Sequence, residues 1–136
     1  MRFVDTNILL YAISSHPDEA AKAARATAIL NESDLALSVQ VLQEFYVQAT
    51  RASSSSSPIA HENAVAMIAS LLRFPVQELT VPLMLAACAA KARWQISYWD
   101  AAIVEAARSQ GCDVLLSEDL SDGQDFGGVR VLNPFA

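Results

Sequence analysis

Four acidic residues lie where an acid is hard to accommodate. Asp5 interrupts the apolar run MRFVDTNILLYAI, in company with Thr6 and Asn7. Glu44 sits in SVQVLQEFYVQATR, Asp100 in SYWDAAIVEAA, and Asp119 just beyond the apolar stretch DVLL. Carboxylates gathered in one place repel one another, and burial raises their pKa values, so such a cluster stays ionised only around cations. Oxygen ligands select hard ions, Mg²⁺ or Mn²⁺. One or two such ions can activate a water and stabilise charge on a phosphodiester under attack.

Each acid also has an ordinary structural reading. Asp5 can be a helix N-cap, a place that Asn7 could share. Glu44 can be a solvated helix residue, although helical spacing sets Val41 and Val47 beside it on an apolar face. Ser97-Tyr98-Trp99-Asp100 fits the S-x-x-D capping pattern, and an acid in a first turn suits the helix dipole. Asp100 nevertheless shares a stripe with Ile103, Val104 and Ala107, and two bulky aromatics beside it add packing, so it is expected to point inward. Asp119 alone reads as a loop acid.

The elements that must carry these residues alternate. Arg2 to Asp5 reads as a short buried strand, with a helix over Asn7 to Ile13. A helix from about Asp18 is followed by a strand at Leu35 to Leu37. Ser38 caps a helix running to about Arg51. SSSSSP, Ser53 to Pro58, reads as a loop between two helices, the second over Ile59 to Leu72. Then come a strand at Pro75 to Leu79, a helix from Thr80 to near Arg93, and a helix from Ser97 that Gly111 stops. Strands at Asp113 to Leu116 and Val129 to Leu132 close the chain. Alternation of this kind implies one α/β domain over residues 1–136, with a mostly parallel sheet between helices. In such sheets, sites gather beyond the carboxyl ends of strands, where Asp5 and Asp119 both stand.

The bulk properties narrow the classes. The chain has 136 residues, 53% hydrophobic and 18% charged, which excludes a disordered segment. Two cysteines without a CxxC argue against a disulfide framework or a zinc site and fit a reducing compartment. No secretory signal is evident. The longest uncharged apolar stretch falls short of the ~20 residues a membrane helix needs, so a soluble cytoplasmic protein is expected. A net charge of −6 weighs against nonspecific nucleic-acid binding. It does not exclude a nuclease: with four acids assigned to one cation site, eleven remain against nine Lys and Arg.

FVDTNILLYA, SVQVLQEF, YWDAAIVEAA and VLLSED, taken together, resemble the PIN-domain ribonucleases, and more narrowly the VapC-type toxins of bacterial toxin–antitoxin pairs. The resemblance runs the length of the chain. It implies a PIN-like three-layer fold and places the family's four acids on Asp5, Glu44, Asp100 and Asp119. Thr6, Asn7 and Ser117 match the hydroxyl and Asn positions near the metal. Glu118 stands where a neutral polar residue is common, so Glu118 and Asp119 compete for the fourth place, with Asp119 favoured. The resemblance further implies Mg²⁺- or Mn²⁺-dependent endonucleolytic cleavage of RNA by water, leaving a 5′-phosphate and a 3′-hydroxyl. It also implies a homodimer and a cognate antitoxin that blocks the cleft.

Other readings fit less well. A haloacid-dehalogenase site needs D-x-D, but Asn7 occupies the second acid's place. A receiver domain needs paired acids after its first strand and a partner lysine. DLSDGQDF misses the EF-hand spacing by one residue. The serious alternative is a PIN-like binding or scaffold module that has lost turnover. Lys91 and Arg93, just before the Asp100 helix, are candidates for phosphate contacts or are merely solvated charges.

Overall fold

A computed structural model describes residues 1–52 and 57–136. Most of the expected SSSSSP loop therefore lies outside the described residues. Within the described residues, five short strands form one parallel sheet: β1 Arg2–Val4, β2 Leu35–Ser38, β3 Val76–Gln77, β4 Val114–Leu116 and β5 Arg130–Leu132. Their spatial order is β3-β2-β1-β4-β5. Phe3, Val4, Leu35, Ala36, Leu37 and Leu115 are all fully buried, as expected of parallel strands covered on both faces. β5 is an edge strand and alternates instead, with Val131 buried between exposed Arg130 and Leu132.

Among the described residues, six helices flank the sheet: α1 Thr6–Ala12, α2 Ala20–Leu30, α3 Val39–Thr50, α4 His61–Leu71, α5 Val81–Trp94 and α6 Tyr98–Ser109. α2 begins later than the sequence suggests, because Pro17–Glu19 form a 3-10 turn ahead of it. Three helix starts are capped as their sequences indicate. Ser38 accepts from the Val41 amide (3.2 Å), Thr80 from Leu83 (3.2 Å) and Ser97 from Asp100 (3.0 Å). Each such cap is worth about 1 kcal/mol. α5 and α6 meet through a seam of small residues, Ala87, Ala90, Ala101 and Ala102, that lets the two helices approach closely.

The strand order places the site. From β1 the chain steps one way to β2 and later returns on the other side to β4. A parallel sheet that reverses direction in this way opens a crevice beyond the strand ends at the reversal. The register Val4↔Leu116 brings the ends of β1 and β4 level, so Asp5 and Ser117 emerge side by side.

Candidate active site

Asp5 leaves β1 with extended backbone and caps α1 itself, a role the sequence left open to Asn7. Its Oδ1 accepts from the Thr6 amide at 2.7 Å, and its Oδ2 accepts the Ser117 hydroxyl at 2.8 Å. The residue is only 7% exposed. Burial pushes its carboxyl up to about 6; the Ser117 and Thr6 hydrogen bonds work against that rise, and the charges of Asp119 and Glu44 add to it.

The other polar groups form a connected network. Thr6 donates its hydroxyl to Glu44 (3.1 Å), linking α1 to α3. Asn7 donates its amide to Asp119 (3.2 Å) and to the Ser117 hydroxyl (3.4 Å), while its carbonyl accepts from the Glu118 amide (3.2 Å). The Asp119 amide donates back to Ser117 (3.1 Å). Thr6, Asn7 and Ser117 are buried, so each side chain is held in place by its partners.

Adjacent acids in the β4 loop separate into two roles. Asp119 joins the Asn7–Ser117 network. Glu118 instead accepts from the Tyr11 hydroxyl and from Lys22 of α2. Burial raises the Glu118 carboxyl, but these two donors outweigh it and hold the group below the usual carboxylate range. A lysine engages Glu118, whereas no cation engages Asp119 among the described residues.

Asp100 lines the same cleft from the first turn of α6. It makes no hydrogen bond to the other acids. The cleft encloses about 870 Å³, and Asp5, Glu44, Asp100 and Asp119 all stand on its wall. Among the described residues, no three acidic, His or Cys side chains close on a single ion position as placed. Like charges oppose such closure, and neutral donors hold Asp5, Glu44 and Asp119 individually. The donor set is all oxygen, with a buried carboxylate at its centre, and its chemistry suits a hard divalent cation.

Two sequence expectations need correction, and one left open is narrowed. Val47 is 55% exposed, so the apolar face beside Glu44 is narrower than its spacing implied. Trp99 is 65% exposed, so it is not the buried packing partner beside Asp100 that the sequence suggested. Lys91 and Arg93 lie in the last turn of α5 and do not line the cleft; Arg93 stacks on Trp94. Arg51 is the one Lys or Arg among the described residues that lines it. Tyr11 and Lys22 carried no motif to mark them. Gln40 was also missed: one turn before Glu44 in α3, it donates to the Trp99 carbonyl (3.3 Å) and ties α3 to the start of α6.

The PIN domain family model matches residues 2–121. The chain belongs to the PIN-domain family. No curated protein matches the sequence of this PIN domain. Among solved structures it is similar to VapC20 of Mycobacterium tuberculosis, described as a Sarcin-Ricin loop cleaving toxin. That match has 24% identity over 93% of this chain and 92% of the other, with a TM-score of 0.66. It is also similar to a toxin-antitoxin complex from Klebsiella pneumoniae (19% identity, 98% of each chain, TM-score 0.67). A third similar structure is FitAcB from Neisseria gonorrhoeae (17% identity, 99% of each chain, TM-score 0.68). At these identities the likeness shows the PIN fold.

Proposed function

We propose that the protein is a VapC-type endoribonuclease, the toxin of a type II toxin–antitoxin pair, dependent on Mg²⁺ or Mn²⁺. The observation that carries this reading is Asp5. It is a buried carboxylate whose hydrogen-bond donors among the described residues are neutral, and two further acids raise its pKa. Such a group calls for a cation. Asp5, Glu44, Asp100 and Asp119 would hold it. When bound, a hard divalent ion lowers the pKa of a coordinated water and neutralises charge on the phosphodiester.

The chain's own residues have separate tasks. Ser117 and the Thr6 amide fix the two oxygens of Asp5. Thr6 orients Glu44, and Asn7 orients Asp119. Water attacks phosphorus and the P–O3′ bond breaks, leaving a 5′-phosphate and a 3′-hydroxyl. The similar toxin-antitoxin complex from Klebsiella pneumoniae supports a cognate antitoxin as partner. A homodimer, a cytoplasmic setting and a single PIN-like domain over the whole chain complete the reading. No helix of the described residues is long and apolar enough to cross a membrane.

Sequencing RNA 5′ ends after induced expression tests the proposal. New 5′-phosphate ends at defined sites are expected for the native chain and none for Asp5→Asn. One observation favours the second reading, a PIN-like binding or scaffold module without turnover: the acids do not close on a common point as placed. Calorimetric titration with Mn²⁺ separates the two. A nuclease binds the ion and loses it in Asp100→Ala; a degenerate module shows no acid-dependent binding.

A further inference from the structure

We propose that Trp99 is a base-stacking platform of the cleft, on which an unpaired nucleotide beside the cleaved phosphodiester lays its base. The inference rests on the ribonuclease reading above and adds how substrate is held and which nucleotides are accepted. Trp99 directly precedes Asp100 and lines the same cleft. The residue is 65% exposed, while Ala101 and Ala102, just beyond Asp100 in α6, are buried against α5. The neighbouring aromatic behaves differently: Tyr98 packs against that alanine seam.

The backbone that carries the indole is nevertheless anchored. The Gln40 amide fixes the Trp99 carbonyl (3.3 Å), so the backbone beneath the ring is tied to the helix that carries Glu44. The ring stands nearly perpendicular to Tyr98, at 84° with centroids 5.0 Å apart. Tyr98 therefore covers at most one indole face.

Charge explains why the cleft needs such a contact. The chain carries a net charge of −6, and Arg51 is the single Lys or Arg lining the cleft among the described residues. Phosphate pairing, the usual main source of affinity for nucleic acid, is thus weak here. Stacking on an aromatic ring supplies affinity without charge, and every base has a face to offer. Bases inside a duplex have no free face, so the platform selects loops and single strands.

The test uses a short unstructured oligoribonucleotide whose cleavage site has been mapped by end sequencing, together with the same oligomer carrying an abasic residue beside that site. On the normal oligomer, Trp99→Leu is expected to lose roughly 10- to 100-fold in kcat/KM, and Trp99→Phe to stay close to the native chain. On the abasic oligomer, the native chain and Trp99→Leu should cleave equally. In a Trp94→Phe background, which leaves Trp99 as the one tryptophan, oligomer binding should quench its emission. Equal cleavage of the normal oligomer by the native chain and Trp99→Leu overturns the platform and leaves the nuclease reading standing. An indole already shielded from acrylamide in the free protein overturns it in favour of coverage by a second protein chain. A native chain that cleaves no RNA overturns both.

Discussion

Ser117 donates its hydroxyl to Oδ2 of Asp5 at 2.8 Å, across a sequence separation of 112 residues. The two residues follow adjacent parallel strands, and the bond joins the ends of those strands at the base of the site. Ser117 is fully buried and also accepts from the Asp119 amide and the Asn7 side chain, so one hydroxyl orients two acids.

Ser117→Ala removes a bond that holds the Asp5 carboxyl down. Asp5 should then titrate above its present value of about 6. The acid limb of the cleavage rate against pH is expected to move to higher pH. Stability should fall by about 1 to 2 kcal/mol, because buried donors lose their acceptor. Rate–pH profiles at subsaturating divalent ion, where the free carboxyl titrates, and urea unfolding check the two effects.

Asp5→Asn should abolish cleavage yet strengthen the fold. The Asp5 carboxyl stands at about 6 in the folded chain against an ordinary 3.8. The folded state therefore holds this proton more tightly than the unfolded state does. The resulting stability is full below about pH 4 and is lost as pH rises through about 6. Asparagine carries no such dependence. Without divalent ions at about pH 8, the variant should exceed the native chain by about 1 to 2 kcal/mol, after allowance for altered hydrogen bonds. The advantage should shrink towards pH 4. Unfolding curves at both pH values measure it.

Mn²⁺ competes with the Asp5 proton. Affinity should be steady well above pH 6 and weaken about tenfold for each pH unit below it, as binding displaces one proton. Calorimetry in buffers of different ionisation enthalpy reads the released proton directly. An affinity indifferent to pH across this range excludes Asp5 as a ligand.

The adjacent acids of the β4 loop should differ sharply. Asp119→Asn is expected to lower cleavage by more than the roughly 10- to 100-fold that loss of an outer partner costs, whereas Glu118→Gln stays within that range. Single-turnover cleavage of one RNA by both variants decides which acid serves the site.

Much of this arrangement is legible in the sequence. Apolar runs at Phe3–Val4 and Leu115–Leu116 mark strands, and the acids just beyond them mark the site, because parallel sheets place their crevices at those ends. Ser38, Thr80 and Ser97 mark helix starts through local chemistry. What stayed hidden depends on contacts between distant segments. Periodicity cannot show that Lys22 meets Glu118 across 96 residues, or that Gln40 reaches the Trp99 carbonyl. Exposure at Val47 and Trp99 was misjudged for a related reason: each continues an apolar pattern past the point where a neighbouring element covers it.

The pairing of β1 with β4 also sets a time at which the acid cluster comes into being. β1 is made before β4, which follows more than a hundred residues later, so the closing contact is highly non-local. A growing polypeptide can form β1, α1 and the Thr6–Glu44 link while Ser117 and Asp119 have yet to be joined to it. The cell therefore meets the assembled site only once β4 and the loop after it have been made, and a translation product truncated before β4 carries Asp5 without the groups that orient it.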